Sequence, residues 1–207
     1  GTAVIIGSTR KENENYFNSM FLIDGKKTNK FDKKILVPFG EFVPLRYFFS
    51  FMDFIVGSSD FSIGKEERKL QLNDKIKILP IICYEILYFW KMLDKTNNDT
   101  NVIVNITNDS WFGNFSGPYQ HFYFSKLRAA EFNKPLIRVS NNGISAVIDS
   151  YGTIINFIGL NKQQTKEINV YISAAKINYI LFHKLIIFII FLSIMICILI
   201  ARFYDSK

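Results

Sequence analysis

Apolar and polar positions along this chain fall into short blocks separated by turn residues. Residues 2–7 form an apolar run closed by glycine and predict a buried strand. Residues 16–23 predict a second strand, and Asp24-Gly25 is a hairpin signal leading into a third at 28–32. Residues 38–44 (PFGEFVP) carry two prolines and a glycine and read as a loop. Residues 45–56 (LRYFFSFMDFIV) predict a helix that is apolar nearly all round, one that faces lipid or covers substrate. After a polar stretch at 57–69, residues 70–72, the Asn73-Asp74 turn and residues 76–82 predict a hairpin that stops at Cys83.

Downstream, residues 86–94 predict a helix, 95–101 a polar loop, and 102–106 (VIVNI) a buried strand. Residues 118–132 predict a helix opened by proline. Residues 135–139, 144–149, 153–158 and 168–172 predict strands, with turns at Asn141-Asn142-Gly143 and Tyr151-Gly152. This order predicts an α/β domain layered on a mixed sheet. From residue 180 the character changes. Residues 185–201 (LIIFIIFLSIMICILIA) contain no charge and one hydroxyl, Ser193, and with Ile180, Leu181 and Phe182 the run can cross a bilayer. The chain therefore divides into a domain at 1–179 and a transmembrane helix with a short tail at 180–207. Cations flank that helix at both ends, Lys176, His183 and Lys184 before it, Arg202 and Lys207 after it, so its orientation stays open.

Composition narrows the function classes. A chain of 207 residues can bury one substantial core, and 49% hydrophobic content with 21 Phe and 10 Tyr excludes disorder. The net charge of +7 comes from scattered lysines without a basic block, zinc finger or helix-turn-helix, so no nucleic-acid partner is expected. Attraction to an anionic membrane surface fits the same charge. Two His and two Cys, far apart, give no metal-ligand spacing; neither a metal nor a cofactor is implied. The chain opens at Gly1 and its first methionine, Met20, lies inside a strand-like run, so it is expected to be the C-terminal portion of something longer.

The candidate chemistry centres on Cys83, at the end of a buried strand, where α/β folds expose reactive side chains. Taken alone, a cysteine there is more simply a buried structural thiol. Four stretches change that reading: DKKILVPFGEFVPL from Asp32, PIICYE from Pro80, NITNDSWFG from Asn105, and RAAE from Arg128 running on to RVSNNGIS at Arg138–Ser145. In order and spacing they resemble the nitrilase (carbon-nitrogen hydrolase) superfamily, and within it the apolipoprotein N-acyltransferase family, over essentially all of residues 1–173.

The resemblance implies a four-layer α-β-β-α sandwich, here truncated at its N-terminus, followed by one transmembrane helix. It implies a site in the bacterial inner membrane facing the periplasm, with a phospholipid acyl donor and an apolipoprotein acceptor. By position Cys83 matches the nucleophile and Lys33 the catalytic lysine, while Glu41, Tyr84 and Glu85 match further residues needed for activity. The chemistry suits these types. A cysteine beside an ammonium is a strong nucleophile, and the oxyanion it creates needs donors, here Lys33 and the Tyr84 N–H. The general-base glutamate of the family precedes the lysine. Glu12 and Glu14 do not sit in its setting, so no base is assigned and the chain alone is expected to be inactive.

Other residues keep plainer readings. Glu85 can orient Lys33 or cap the following helix. Trp111 is a core residue or lines the acyl-chain groove. His121 lies mid-helix and is left out of the chemistry, and Arg128 with Glu131 reads as a helical ion pair. Two alternatives stay open: a membrane-tethered amidohydrolase, and an inactive remnant or binding domain.

Overall fold

The computed structural model describes residues 2–48, 59–92, 99–172 and 179–205. Residues 1–175 and 176–207 separate as two units. In the first, β1 (Ala3–Glu12), β2 (Asn15–Asp24) and β3 (Lys27–Asp32) form an antiparallel sheet in that order. Its tight turns put Asn13 at φ 53° and Gly25 at φ 57°, the left-handed region that these two residue types tolerate best.

The second sheet runs β4 (Leu70–Gln71), β5 (Lys77–Ile82), β6 (Val102–Thr107), β7 (Leu136–Ser140), β8 (Ser145–Ile148) and β9 (Ile154–Ile158), in sequence order. Strands β5, β6 and β7 are parallel, and the flanking pairs are antiparallel. The mixed sheet read from the sequence is therefore present. Ile78 and Ile82 of β5 and Val102 and Val104 of β6 pack with Met20, Leu22 and Phe31 of the small sheet, closing a sandwich. Alternation turns Leu79, Ile81 and Ile103 to the other face. There helix α1 (Ser116–Phe132) packs on β7 and β8 and buries Phe122, Ala129 and Phe132. Each such burial contributes about 1.5–3 kcal/mol. Helix, large sheet and small sheet make three of the expected layers. On the outer face of the small sheet Val4 and Ile6 are exposed.

Pro80 sits inside β5, where it removes a ladder donor. It is tolerated because β4 pairs only with Lys77 and Ile78, so nothing on that side asks for the missing N–H. The Pro80 carbonyl is taken instead by Arg68 Nη1 at 3.0 Å.

Several predicted elements differ. Residues 86–94 do not make an α-helix: Cys83–Leu87 and Phe89–Lys91 are 3-10 turns, closed by Tyr88 N–H to Glu85 O and Lys91 N–H to Tyr88 O, both at 3.0 Å. Residues 93–94 lie outside the described residues. Of the predicted helix at 45–56, residues 45–48 form turns with Leu45 at φ 49°, and 49–56 lie outside the described residues. Residues 168–172 stay outside the sheet; their alternation supplies a strand pattern but no neighbouring strand to pair with. The second unit carries α2 (Tyr179–Asp205), in which Lys184–Arg202 is long and apolar enough to cross a membrane.

The loop before β4 is pinned to the end of β3. Gly64 N–H donates to the Lys33 carbonyl at 2.9 Å, and a Cβ on Gly64 would lie 2.2 Å from the Asp32 carbonyl oxygen. Gly64→Ala must push loop and strand apart, and we expect it to cost about 1–3 kcal/mol. Thermal unfolding checks this; an unchanged midpoint would show that the loop shifts freely.

Candidate active site

Cys83 ends β5 at φ 53°, a conformation that costs a non-glycine residue about 1–2 kcal/mol and persists only where surroundings impose it. The thiol is free and partly exposed, and Sγ reaches the Asn108 carbonyl at 3.9 Å. The turn that follows leaves its first N–H groups, Tyr84's among them, at a helical N-terminus where donors lack intrahelical partners.

The turn is shaped by Glu85. This carboxylate is fully buried and accepts five hydrogen bonds: Arg68 Nη1 at 2.9 Å, Arg68 Nη2 at 2.7 Å, and the backbone N–H groups of Ile82 (2.9 Å), Lys34 (2.9 Å) and Ile35 (3.1 Å). It thus ties the strand end carrying Cys83 to the segment just after Lys33. Burial opposes its ionisation, but Arg68, the Ile82 N–H and Lys33 outweigh that and hold its pKa below the ordinary value.

Lys33 is itself buried, 1% exposed, and an ammonium there must be paired. Its Nζ donates to Glu41 Oε2 at 2.6 Å. Glu41 also accepts from the Val37 N–H at 2.9 Å and from Asn18 Nδ2 at 2.9 Å. The loop that carries Glu41 closes on itself through Glu41 N–H to Val37 O at 2.8 Å and Phe39 N–H to Phe42 O at 2.7 Å, with Phe39 at φ 60°. On the other side of Lys33, Asp32 accepts from Arg10 Nε at 3.0 Å and Ser19 Oγ at 2.5 Å. Burial opposes its charge, yet Arg10 and Ser19 bring its pKa to about 2.

A second buried polar set lies on the far side of the cysteine turn. Asp109 accepts from Arg138 Nη2 at 2.7 Å and Thr107 Oγ1 at 3.1 Å, and His121 Nδ1 lies 2.9 Å from its Oδ1. Arg138 also reaches Asn105 Oδ1 at 2.6 Å, Ser125 Oγ at 3.3 Å and the Ile144 carbonyl at 3.1 Å. Burial opposes the Asp109 charge, but the His121 hydrogen bond and the Arg138 charge hold its pKa at about 2. Burial pushes His121 below its ordinary value, so the ring is neutral at pH 7, and its Nδ1 lies between Asp109 Oδ1 at 2.9 Å and Arg138 Nη2 at 3.1 Å.

Of the residues singled out from the sequence, Lys33 and Glu41 are in direct contact, and Glu85 links their segment to Cys83 and Tyr84. Glu85 both caps the turn, through Ile82 N–H, and organises the Lys33 segment. Trp111 stands apart: it sits in the Ser110–Phe112 turn, 75% exposed, and is no core residue. Glu12 and Glu14 lie on the surface, paired with Arg10 at 2.6 Å and Lys11 at 3.5 Å. Arg128 and Glu131 form the predicted ion pair at 3.0 Å. Sequence reading assigned no role to Arg68, Asn18, Asp109 or Arg138. Arg138 gave a signal, a cation inside an otherwise apolar strand pattern, whereas Arg68 looked like any cation in a polar loop.

A partly exposed cysteine at the end of a buried strand, linked through Glu85 to the segment of a lysine–carboxylate pair, on a two-sheet α/β sandwich, fits a nitrilase-like hydrolase or transferase. The carbon-nitrogen hydrolase family model matches residues 1–178, and the chain belongs to that family. It is similar to the apolipoprotein N-acyltransferase of Allorhizobium ampelinum, 38% identical over 186 residues, covering 84% of this chain and 35% of that protein. The Rickettsia prowazekii protein of that name is 40% identical over 163 residues, covering 76% and 32%. The chain thus spans about a third of the length of the curated relatives it matches. Among solved structures, the fold is similar to a glutamine-dependent NAD+ synthetase of Acinetobacter baumannii, with TM-score 0.60, 13% identity, and coverage of 78% and 30%. It is also similar to a Nesterenkonia amidase of the nitrilase superfamily, with TM-score 0.55, 16% identity, and coverage of 77% and 58%.

Two outcomes follow. Arg68→Met strands the Glu85 charge in the core and should destabilise by about 3–5 kcal/mol, whereas Arg68→Lys, which cannot fork onto both oxygens, should fall between. Thermal midpoints rank the three proteins. Acid should also unfold the domain. Asp32 and Asp109, at about 2 in the fold against 3.8 ordinarily, contribute stability that is complete above about pH 5 and is lost as pH falls toward 2. The unfolded chain's His121 takes a proton below about 6.5, which starts the decline earlier. Asp109→Asn should flatten the pH profile of the unfolding midpoint.

Proposed function

We propose that this chain carries the acyl-transfer site of a membrane-bound N-acyltransferase in the bacterial inner membrane, facing the periplasm. The reaction moves an acyl chain from a phospholipid to the N-terminal amino group of a diacylglyceryl-cysteine apolipoprotein. The observation that carries this reading is the Cys83 turn, tied through Glu85 to the buried Lys33–Glu41 pair. Two further observations support a lipid donor. Helix α2 is apolar enough to span a bilayer. Large aromatic side chains in the loops after β3 and β6 are exposed, Tyr47 at 90%, Trp111 at 75% and Phe115 at 88%, and offer apolar surface to an acyl chain.

Cys83 Sγ attacks the ester carbonyl of the phospholipid. The S–C bond forms, the ester C–O bond breaks, and the thiol proton ends on the departing lysophospholipid oxygen. The oxyanion formed on the way is held by Lys33 and the Tyr84 N–H. The amine of the acceptor then attacks the thioester; C–N forms, C–S breaks, and the amine proton returns to the sulfur. Glu41 keeps the Lys33 ammonium aimed rather than acting on substrate itself. The family resemblance gives the proton transfers to a glutamate ahead of Lys33. Glu41, Glu85 and Asp109 are each engaged by donors, so no described residue is assigned that step. Trp111 lines the acyl-chain approach.

With phospholipid and the full-length protein in detergent, we expect a hydroxylamine-labile acyl group on Cys83, detected by mass spectrometry. Cys83→Ala should carry none, and Lys33→Met should slow its formation by about 100-fold or more. Amide hydrolysis without acylation would replace this reading with an amidohydrolase.

A further inference from the structure

We propose that Asp109, His121 and Arg138 are positioning residues that hold the Cys83–Tyr84 turn in the shape that accepts an acyl group. The inference rests on the reading of Cys83 as the acyl-accepting nucleophile and adds residues to which that reading gives no role.

The turn needs support on both sides, because Cys83 occupies a backbone region it would not choose alone. Glu85 fixes the strand side through the Ile82 N–H. The downstream side rests on rings. Tyr84 lies against His121, with centroids 5.7 Å apart, and against Phe112 at 6.1 Å; Phe112 and His121 are 5.0 Å apart. The imidazole is thus the floor beneath the residue whose N–H faces the developing oxyanion. Its other ring nitrogen, Nε2, is buried without a hydrogen-bond partner, and the Cys83 backbone acts on the ring as well.

A ring can serve as a floor only if its plane is fixed, and Asp109 fixes it through Nδ1 at 2.9 Å. Asp109 is held in turn by Arg138, and both are buried, 0% and 1% exposed, so the two charges cancel in the core. The seat is tight. A Cβ on Gly143 would come 1.9 Å from Asp109 Oδ2, so only glycine at 143 lets the carboxylate sit there. Arg138 also donates to Asn105, Ser125 and Ile144, and its Nη2 lies 3.1 Å from His121 Nδ1, which leaves it one orientation. The set runs from β6 and β7 through α1 to the cysteine turn, and it contains nothing that touches substrate.

The experiment compares two reactions of the same thiol in the full-length protein in detergent. Acylation by a p-nitrophenyl ester, read as the p-nitrophenolate burst, builds an oxyanion; alkylation by iodoacetamide builds none. His121→Phe keeps a ring under Tyr84 and removes the Nδ1 contacts to Asp109 and Arg138, and Asp109→Asn removes the carboxylate that orients the ring. We expect each to slow the burst by about 10-fold or more while alkylation changes less than about 2-fold. The double variant should be no slower than the worse single one, because the residues act as a unit. Should Asp109→Asn not fold, His121→Phe alone decides. Burst and alkylation falling together, or neither falling, would overturn the proposal. A wild-type burst with the p-nitrophenyl ester but no acylation by phospholipid would overturn the phospholipid reading and leave this inference standing.

Discussion

The whole site depends on one buried carboxylate. Glu85 has no solvent, yet it stays charged because five donors converge on it, two from Arg68 and three from the backbone of two separate segments. Those segments are the ones that carry Lys33 and Cys83. Residues fifty positions apart in sequence therefore reach one place without any contact between their own side chains being required. The arrangement also constrains evolution of the site. An apolar residue at 85 would leave Arg68 and three backbone N–H groups unmet, and glutamine would bring donors where only acceptors fit.

The apolar core and the polar core divide the labour. Met20, Leu22, Phe31, Ile78, Ile82, Val102 and Val104 close the sandwich and set the distance between the sheets, but they say nothing about direction. Direction comes from hydrogen bonds with fixed geometry: the Arg68 fork onto Glu85, the Lys33–Glu41 pair, and Arg138 onto Asp109. Each of these three cations has its carboxylate within 2.7 Å. The same matching makes the fold acid-sensitive, since protonating Asp109 leaves Arg138 in the core without its counter-charge.

How much of this could be read from the sequence follows from the range of each interaction. Strands with period-two or continuous apolar patterns were legible, and β2, β3, β5 and β6 fall within a residue or two of expectation, because the signal is local. The segment after Cys83 was not, because Glu85 turns back to the strand and sets 3-10 geometry where the residues themselves suit an α-helix. Lys33, Glu41 and Cys83 were legible only through motif resemblance. Arg68 was invisible: its partner lies 17 positions on, and nothing in a polar loop marks one arginine as buried. His121 was set aside because it lies mid-helix; mid-helix is where it meets Asp109, which the sequence alone could not bring to that face.

The location of the thiol bears on what can reach it. In a sheet whose central strands run parallel, the ends of β5 and β6 open on one edge, and Cys83 and Asn108 sit there together. That edge has two characters. On one side Tyr84, next to the cysteine, lies against His121 of the buried Asp109–Arg138–His121 set; on the other, Trp111 and Phe115 in the stretch after β6 are exposed and apolar. In the proposed reaction the acyl chain of an ester would lie on the apolar side while its carbonyl meets the thiol, and the polar set would stay out of its reach. In the proposed reaction the exposed aromatic residues and the buried ion pair would be two halves of one requirement: the first would receive the chain, and the second would hold the Cys83–Tyr84 turn in shape when it arrives.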